Sequence, residues 1–553
     1  MKKRPARDWF FLLFPYAVYL VVTIIVFSLS PFTLHSDGIS MINVAQKYHA
    51  GHFMDAVNSL WPPLFSMILA IIMYLPVHQV IAFKILQMIL AFGGLILLDL
   101  IARAWIRNSW VRLFVLTAAG LFLSAYALRD ATADMIACVA TLLYTYFVTR
   151  DNFWLNKWDG VVVGVIWVLG YLARAYLLPF VAVSLAFIFI YKWFLLRNSI
   201  QRKVLLRNAV ITIVVFVIVS SPWILALHTK FHTWTTGISG SLNYNKYSHE
   251  AVGAPLQAMF SNEHLIPPTA PTDQSMITEL YPNQPIAWSP FQSKQAVNYQ
   301  LLKIWKNIKI LYHGIPSVAN GAAIFAMFSP LLAGSFFAFG VYILSRPRWY
   351  EETKNILLFS VMAIYPLGYI IIEVNDRYFY VCAVLGLLFG GYLLEQLLPA
   401  NKKWLLIASV AFLATTYVPF TTFKDLIAGY SFYYNRYSDG MYIRAHLPIE
   451  NKRAAALGDD ESVAFRAIYY AGIPFYWQLD PSVATTTVAS ELCKYHIDYP
   501  FINNSSGNPA VAARYAYLKK YYSGELKLQK YPELSVLYNA HLPCWTAPQV
   551  MAK

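Results

Sequence analysis

The sequence predicts an all-α polytopic membrane protein of about eleven transmembrane helices, with one segment that enters the membrane without crossing and a small C-terminal α/β domain. Three observations predict it. The chain has 553 residues, 58% hydrophobic and only 13% charged, whereas a soluble domain carries about 25% charged residues. Mean hydropathy is +0.48, and the apolar residues form long unbroken runs, unlike the short alternating strands of a membrane β-barrel. The basic residues behind a net charge of +15 cluster between those runs, as cytoplasmic loops require. A soluble enzyme, a fibrous protein and a disordered chain are thereby excluded. The positive charge reads as topology and not as a nucleic-acid footprint.

A crossing helix needs about 20 apolar residues. The first run, residues 9–30, follows Lys2, Lys3, Arg4 and Arg7, which places the N-terminus in the cytoplasm. With no small-residue cleavage signature it reads as a retained anchor. Further spans are expected at 80–102, 111–128, 132–149, 160–173, 176–191, 208–228, 321–345, 355–372, 378–398 and 404–420. Residues 64–75, bounded by Pro63 and Pro76, are too few to cross and suit a re-entrant or interfacial segment. Charge supports this. Were they to cross, Arg103, Arg107, Arg112 and the basic clusters at 192–207 and 346–354 would face outward. If they do not, all of these lie inside with Arg150, Lys157, Lys402 and Lys403, as the positive-inside rule prefers.

Four regions then face outward, at 31–61, 129–134, 229–320 and 373–377, and so does the domain expected at 424–553 beyond a transmembrane domain of 1–423. The protein is thus expected in the plasma (inner) membrane with its C-terminal domain extracytoplasmic. Within that domain, 462–465 and 495–501 read as strands and 510–522 as a helix. Of four cysteines, Cys138 and Cys382 lie in apolar runs, and Cys493 and Cys544 leave room for a single disulfide. There is no internal repeat and no metal-ligand spacing.

Ionisable groups near hydrocarbon usually face a cavity or a partner. Asp37 follows the first span by a few residues, and the spacing of Ile39, Ile42, Val44 and Ala45 predicts a helix over 38–50 along the interface. Trp61-Pro62-Pro63 then opens the short segment. At the second outward turn stand Arg129, Asp130 and Asp134, where an ordinary ion pair and a helix-start aspartate compete with a functional role. Arg174 is the only charge between Asp159 and Lys192, so it sits at an outward apex. Snorkelling to headgroups would explain it, but a guanidinium fork also suits a phosphate. Glu373, Asp376, Arg377 and Tyr378 form the last outward tip, with Arg377 at headgroup level and Tyr378 readable as an aromatic-belt anchor. Residues 296–314 set Lys303, Lys306 and Lys309 against Leu301, Ile304, Trp305, Ile308 and Leu311. That pattern predicts an interfacial helix over the cavity. The histidines of this long loop have no ligand spacing and read as surface residues.

In order and spacing, these pieces over about residues 9–400 resemble the GT-C glycosyltransferases, especially glycosyltransferase family 39, whose superfamily includes protein O-mannosyltransferases and the lipid A aminoarabinose transferase. The resemblance rests on Asp37 after the first span, Ala45 and Gly51 downstream, Trp61-Pro62-Pro63-Leu64, Arg129 with Asp134-Met135, Leu172-Ala173-Arg174, and Asp376-Arg377-Tyr378-Phe379. It implies a GT-C fold and inverting transfer of a sugar from a polyprenyl-phosphate donor to a hydroxyl of an envelope lipid, glycan or protein. Asp37 would be the general base and Asp134 its catalytic companion, with Arg377, Arg174 and Tyr378 on the donor phosphate. Many relatives carry a second acid directly after the first-loop aspartate. Here Gly38 stands there, leaving metal use and acceptor type open, and no cofactor is implied. A secondary transporter is disfavoured by the missing repeats. A polymerase or ligase using a diphosphate-linked donor remains the nearer rival.

Overall fold

The computed structural model describes residues 6–29, 31–129, 132–150, 152–196, 199–240, 264–265, 290–313, 341, 345, 353–374, 376–397, 436–457, 461–479, 483–503 and 507–541. Seven of its helices are long and apolar enough to cross a membrane. These are α1 (Ala6–Leu29), α5 (Gln79–Trp105), α6 (Ser109–Arg129), α9 (Leu177–Leu195), α10 (Ser199–Phe231), α12 (Thr353–Ile372) and α13 (Tyr380–Leu397, with the turn before it). Two shorter apolar helices, α7 (Asp134–Val148) and α8 (Asp159–Ala173), match two more of the expected spans. The spans expected at 321–345 and 404–420 fall outside the described residues, apart from Val341 and Ser345.

Burial orders the bundle. The apolar windows of α6 and of Arg377–Gln396 are both 83% buried, so these helices are central, whereas α1 and α10 are only 28% and 22% buried. Leu13, Val21, Ile24 and Ile25 of α1, and Ile213, Val217 and Ile218 of α10, point outward. An apolar exterior of this kind is what hydrocarbon solvates. Helix α8 meets α10 at close range through Gly160 and Gly164. A Cβ at Gly160 would lie 2.6 Å from the Asn208 carbonyl oxygen, and one at Gly164 would lie 2.8 Å from the Val215 side chain. Small residues let helix backbones approach in this way.

The segment after α1 departs from the interfacial reading. Helix α2 (Ser36–His49) forms close to where its periodicity places it, capped by His35, whose Nδ1 accepts from the Asp37 N–H. It is buried nearly all round, however, from Ile39 through Ala45. Most of its cover comes from α4 (Leu64–Ile72), and α14 (Glu461–Ala471) from the C-terminal domain also packs on it. With 9 residues, α4 is roughly 14 Å long and does not span. The short α3 (Phe53–Ala56) joins the two. Helix α11 (Lys294–His313) realises the expected amphipathic stretch. It rests on α12, where Gln300 and Asn307 donate to the Ile371 and Ile370 carbonyls, and exposes Leu301, Leu302 and Trp305.

The C-terminal domain is a five-stranded sheet in the order β2-β1-β3-β5-β4, with β1 (Ala454–Ala456) parallel to β2 (Phe475–Gln478) and to β3 (Tyr499–Asn503). Strands β4 (Tyr522–Lys527) and β5 (Leu534–Ala540) complete it as an antiparallel hairpin on β3. Helix α15 (Thr485–Lys494) links β2 to β3, and α16 (Pro509–Leu518) follows β3. Three sequence expectations need correction. Residues 462–465 are helical, because buried Ala464, Ala467, Ile468 and Ala471 carry a helical period through to the end of α14. The second strand starts at Tyr499, since 495–496 close α15 and His496 adopts a positive φ of 49°. Helix α16 is also shorter than expected, and Tyr522 already belongs to β4. Cys493 is disulfide-bonded and Cys138 and Cys382 are free, while Cys544 lies outside the described residues.

Candidate active site

All five residues singled out in the sequence meet at one end of the bundle, beneath the C-terminal domain. Asp37 lies in the first turn of α2 and Asp134 is the first residue of α7. Arg174 caps the C-terminus of α8 in extended conformation, and Arg377 and Tyr378 sit in the 3-10 turn Asp376–Phe379 before α13. The local electrostatics favour this. Carboxylates are stabilised at helix N-termini and cations at helix C-termini, so three of the four charges sit where a helix end already favours them.

The charges alternate. An Arg377 Nη1 donates to Asp37 Oδ2 at 2.6 Å, and Arg377 Nε lies 3.6 Å from Asp134 Oδ2. Arg174 is ion-paired with Asp134. Thr132 Oγ1 donates to Asp134 Oδ2 at 2.6 Å. The side chains of Asp37 and Arg377 are only 17% and 16% exposed, and that of Asp134 only 4%. Burial alone would raise the Asp37 carboxyl. The Arg377 guanidinium, helped by His35 and Arg174, outweighs it and holds Asp37 at about 2. Two acids and two guanidinium groups sum to zero, which makes so much buried charge tolerable.

An aromatic floor supports the cations. Arg174 lies 4.3 Å over the Tyr378 ring, Tyr378 stacks on Tyr369 at 4.8 Å, and Tyr369 meets Tyr176 at 4.0 Å. Tyr176 crosses Gly368 of α12, where a Cβ would strike its ring, and its hydroxyl donates to the Tyr365 carbonyl. Tyr378 therefore contributes an aromatic face to the arginines. Asp130 lies outside the described residues, and nothing is described of the Arg129 and Asp376 side chains.

The depth of the cluster follows from helix length. Helices α7 and α8 have 15 residues each, or roughly 22 Å against about 30 Å of hydrocarbon. Their far ends are tied by the Arg150–Asp159 pair. Asp134 and Arg174 stand at the near ends of these two helices, each of which leaves a full span about 8 Å short.

Sequence reasoning missed several supporting groups. Lys84 of α5 is fully buried and donates to Thr33 Oγ1 at 2.6 Å and to the Leu128 carbonyl. One turn on, Gln87 donates to the carbonyl of Thr132, whose hydroxyl holds Asp134. The signal was available, since a lysine inside an apolar span is itself a pointer to function. Elsewhere, the loop histidine His264 pairs with Glu491 of α15 at 3.1 Å.

No protein-family model matches the chain, and no curated protein matches it in sequence. Fold and site together define a multi-pass integral membrane protein with the GT-C fold. The chain is similar over 99% of its length to ArnT from Cupriavidus metallidurans bound to undecaprenyl phosphate, covering 100% of that chain at TM-score 0.57 and 13% identity. The archaeal oligosaccharyltransferase AglB from Archaeoglobus fulgidus, in complex with an inhibitory peptide and a dolichol-phosphate, matches 98% of this chain and 76% of its own, at TM-score 0.50 and 12% identity. The apo form of the Archaeoglobus fulgidus oligosaccharyltransferase matches 94% of this chain and 74% of its own, at TM-score 0.55 and 11% identity. Identities this low establish the shared fold.

Proposed function

We propose that the protein is a membrane glycosyltransferase that moves a sugar from a polyprenyl-phosphate-linked donor to a hydroxyl of an envelope lipid, glycan or protein acceptor. The observation that carries this reading is the alternating cluster Asp37–Arg377–Asp134–Arg174, recessed at one end of a GT-C bundle. Solved relatives of the fold that hold undecaprenyl phosphate or dolichol-phosphate support the donor class. By the distribution of basic loops, the cluster and the C-terminal domain lie on the extracytoplasmic side of the plasma membrane.

The chemistry has two demands. An acceptor hydroxyl is a poor nucleophile until its proton is removed, and the departing phosphate needs positive charge. Asp37 takes the proton while the acceptor oxygen attacks the anomeric carbon. The bond to the phosphate oxygen breaks in the same displacement, so configuration inverts. Arg377 and Arg174 stabilise the leaving phosphate over the Tyr378 ring, and Asp134 holds Arg174 in place. The two guanidinium groups supply the positive charge, so the reading requires no divalent metal.

A carboxyl held at about 2 is a weak base. The donor resolves this. When its phosphate takes the Arg377 fork, Asp37 loses the partner that lowers it, and burial lifts its basicity. Donor binding thus activates the base. The test is Asp37→Asn in detergent micelles, measuring transfer of radiolabelled sugar from a polyprenyl-phosphate donor into envelope material. Turnover should fall about 10²–10⁴-fold with membrane insertion intact. A variant with near-normal turnover would remove Asp37 from this role.

A further inference from the structure

The stretch joining α1 to α2 carries Asp37 into the site, and residues 32–34 of it are gripped from two sides. On the bundle side, Thr33 Oγ1 donates to the Leu128 carbonyl at 3.0 Å and accepts from Lys84. On the other side the C-terminal domain supplies two hydrogen bonds and a ring stack, beside an edge-on contact between Phe32 and His78 at the head of α5. The Tyr470 hydroxyl of α14 donates to the Phe32 carbonyl at 2.7 Å, and Arg466 Nε donates to the Leu34 carbonyl at 3.2 Å. Tyr437, in the helical segment 436–446, stacks on the Phe32 ring at 3.9 Å and 3°, and Tyr470 braces Tyr437 edge-on. Arg466 and Tyr470 are each 6% exposed, so these bonds are made out of water.

The next residue is His35, which caps α2 by accepting the Asp37 N–H. Only His35 and Ser36 separate the gripped carbonyl of Leu34 from Asp37. Helix α14 also packs on the sheet of its own domain. Ala464, Phe465, Ala467 and Ile468 already bury its apolar stripe, and it packs on β1 and β2. Its arginine and tyrosine hydroxyl reach instead to a loop more than four hundred residues earlier in the chain.

We propose that the C-terminal domain is a positioning element of the catalytic site, in which Arg466 and Tyr470 set the place of Asp37 through the 32–34 strap. The inference rests on the reading of Asp37 as general base. Binding of an acceptor by the domain would, by the same linkage, be felt at the base. Catalytic groups tolerate about 0.5 Å of error, and a 1 Å displacement by a remote substitution costs up to about 100-fold. Releasing two buried carbonyls from their donors is a change of that order.

The experiment uses the full chain in micelles with a polyprenyl-phosphate-linked sugar as donor. Arg466→Met and Tyr470→Phe should each lower kcat about 10- to 100-fold with donor KM and affinity for polyprenyl phosphate alone within about twofold. The acid limb of the kcat profile should shift, and Arg466→Lys should recover most of the rate. In an Asp37→Asn background the same substitutions should lower residual transfer no further, because a residue acting through Asp37 has nothing left to position. Wild-type kcat and pH limb in both variants would overturn the inference, as would full additivity with Asp37→Asn. An active Asp37→Asn protein would instead overturn the base assignment. Tyr470→Phe removes a single oxygen, which keeps the test decisive should Arg466→Met fail to fold.

Discussion

Replacing Arg377 by glutamine probes the exchange at the centre of the site. Arg377, helped by His35 and Arg174, holds the Asp37 carboxyl at about 2 instead of its ordinary 3.8 despite burial, which corresponds to about 2 kcal/mol at 1.36 kcal/mol per unit. The sign follows from the direction. Because the folded value is depressed, the pair stabilises the protein above the unfolded value near 4 and ceases to do so as pH falls towards 2. In the unmodified protein, kcat/KM reports the free enzyme and kcat the donor complex. The acid limb of kcat/KM should therefore lie below pH 4, and that of kcat distinctly above it, once phosphate has drawn Arg377 away. The donor is a phosphodiester and does not titrate in this range. In Arg377→Gln, Asp37 loses the largest of the charges that hold it down, so the kcat/KM limb should rise by about one to two units towards that of kcat. At pH 7, kcat/KM should fall about 10²–10³-fold through loss of a charged donor to the leaving group. The assay is donor-dependent sugar transfer in micelles, measured from about pH 2 to 8 so that the limb expected below pH 4 falls inside the range. Coincident limbs in the unmodified protein, or a kcat/KM limb that the substitution leaves in place, would refute the exchange.

Two further outcomes bear on stability. Gly164→Leu should lower the thermal midpoint by an amount equivalent to about 1–3 kcal/mol, because any Cβ there meets Val215 at 2.8 Å and the Thr212 carbonyl oxygen at 2.9 Å. It should also reduce transfer, since α8 ends at Arg174. An unchanged midpoint would show that α8 and α10 separate freely. In the C-terminal domain, burial would raise the Glu525 carboxyl, but donors from Lys519, Ser535 and Tyr515 hold it at about 2. Its contribution to stability should be present above its ordinary value of 4.5 and lost as pH falls towards 2. Glu525→Gln should flatten that part of the pH–stability curve, read by fluorescence of the full chain. A curve as steep as the wild type would assign the acid lability elsewhere.

The site was legible because charge is rare in this chain. Asp37, Asp134, Arg174 and Arg377 stood out as ionisable groups at the ends of apolar runs, and one consistent alternation of sides set them all on the same face. Their pairing was not legible. Which guanidinium meets which carboxylate depends on helix ends brought together from distant parts of the sequence. The depth of α2 was hidden for a similar reason. Its own periodicity suits an interface, and its remaining sides are buried by neighbours that include α4 and, from the far end of the chain, α14. Residues 462–465 were misread because a four-residue apolar run carries no period of its own. Lys84 was overlooked because the apolar length around it satisfied the criterion for a span.

The two short helices have a consequence for substrate delivery. Helices α7 and α8 fall roughly 8 Å short of a full-length span, so on the proposed reading a lipid-borne phosphate would reach the charged ring by lateral diffusion while its tail stays solvated by the bilayer. On the same reading, a water-soluble acceptor would have to extend a thin, flexible hydroxyl-bearing arm to the buried carboxylates.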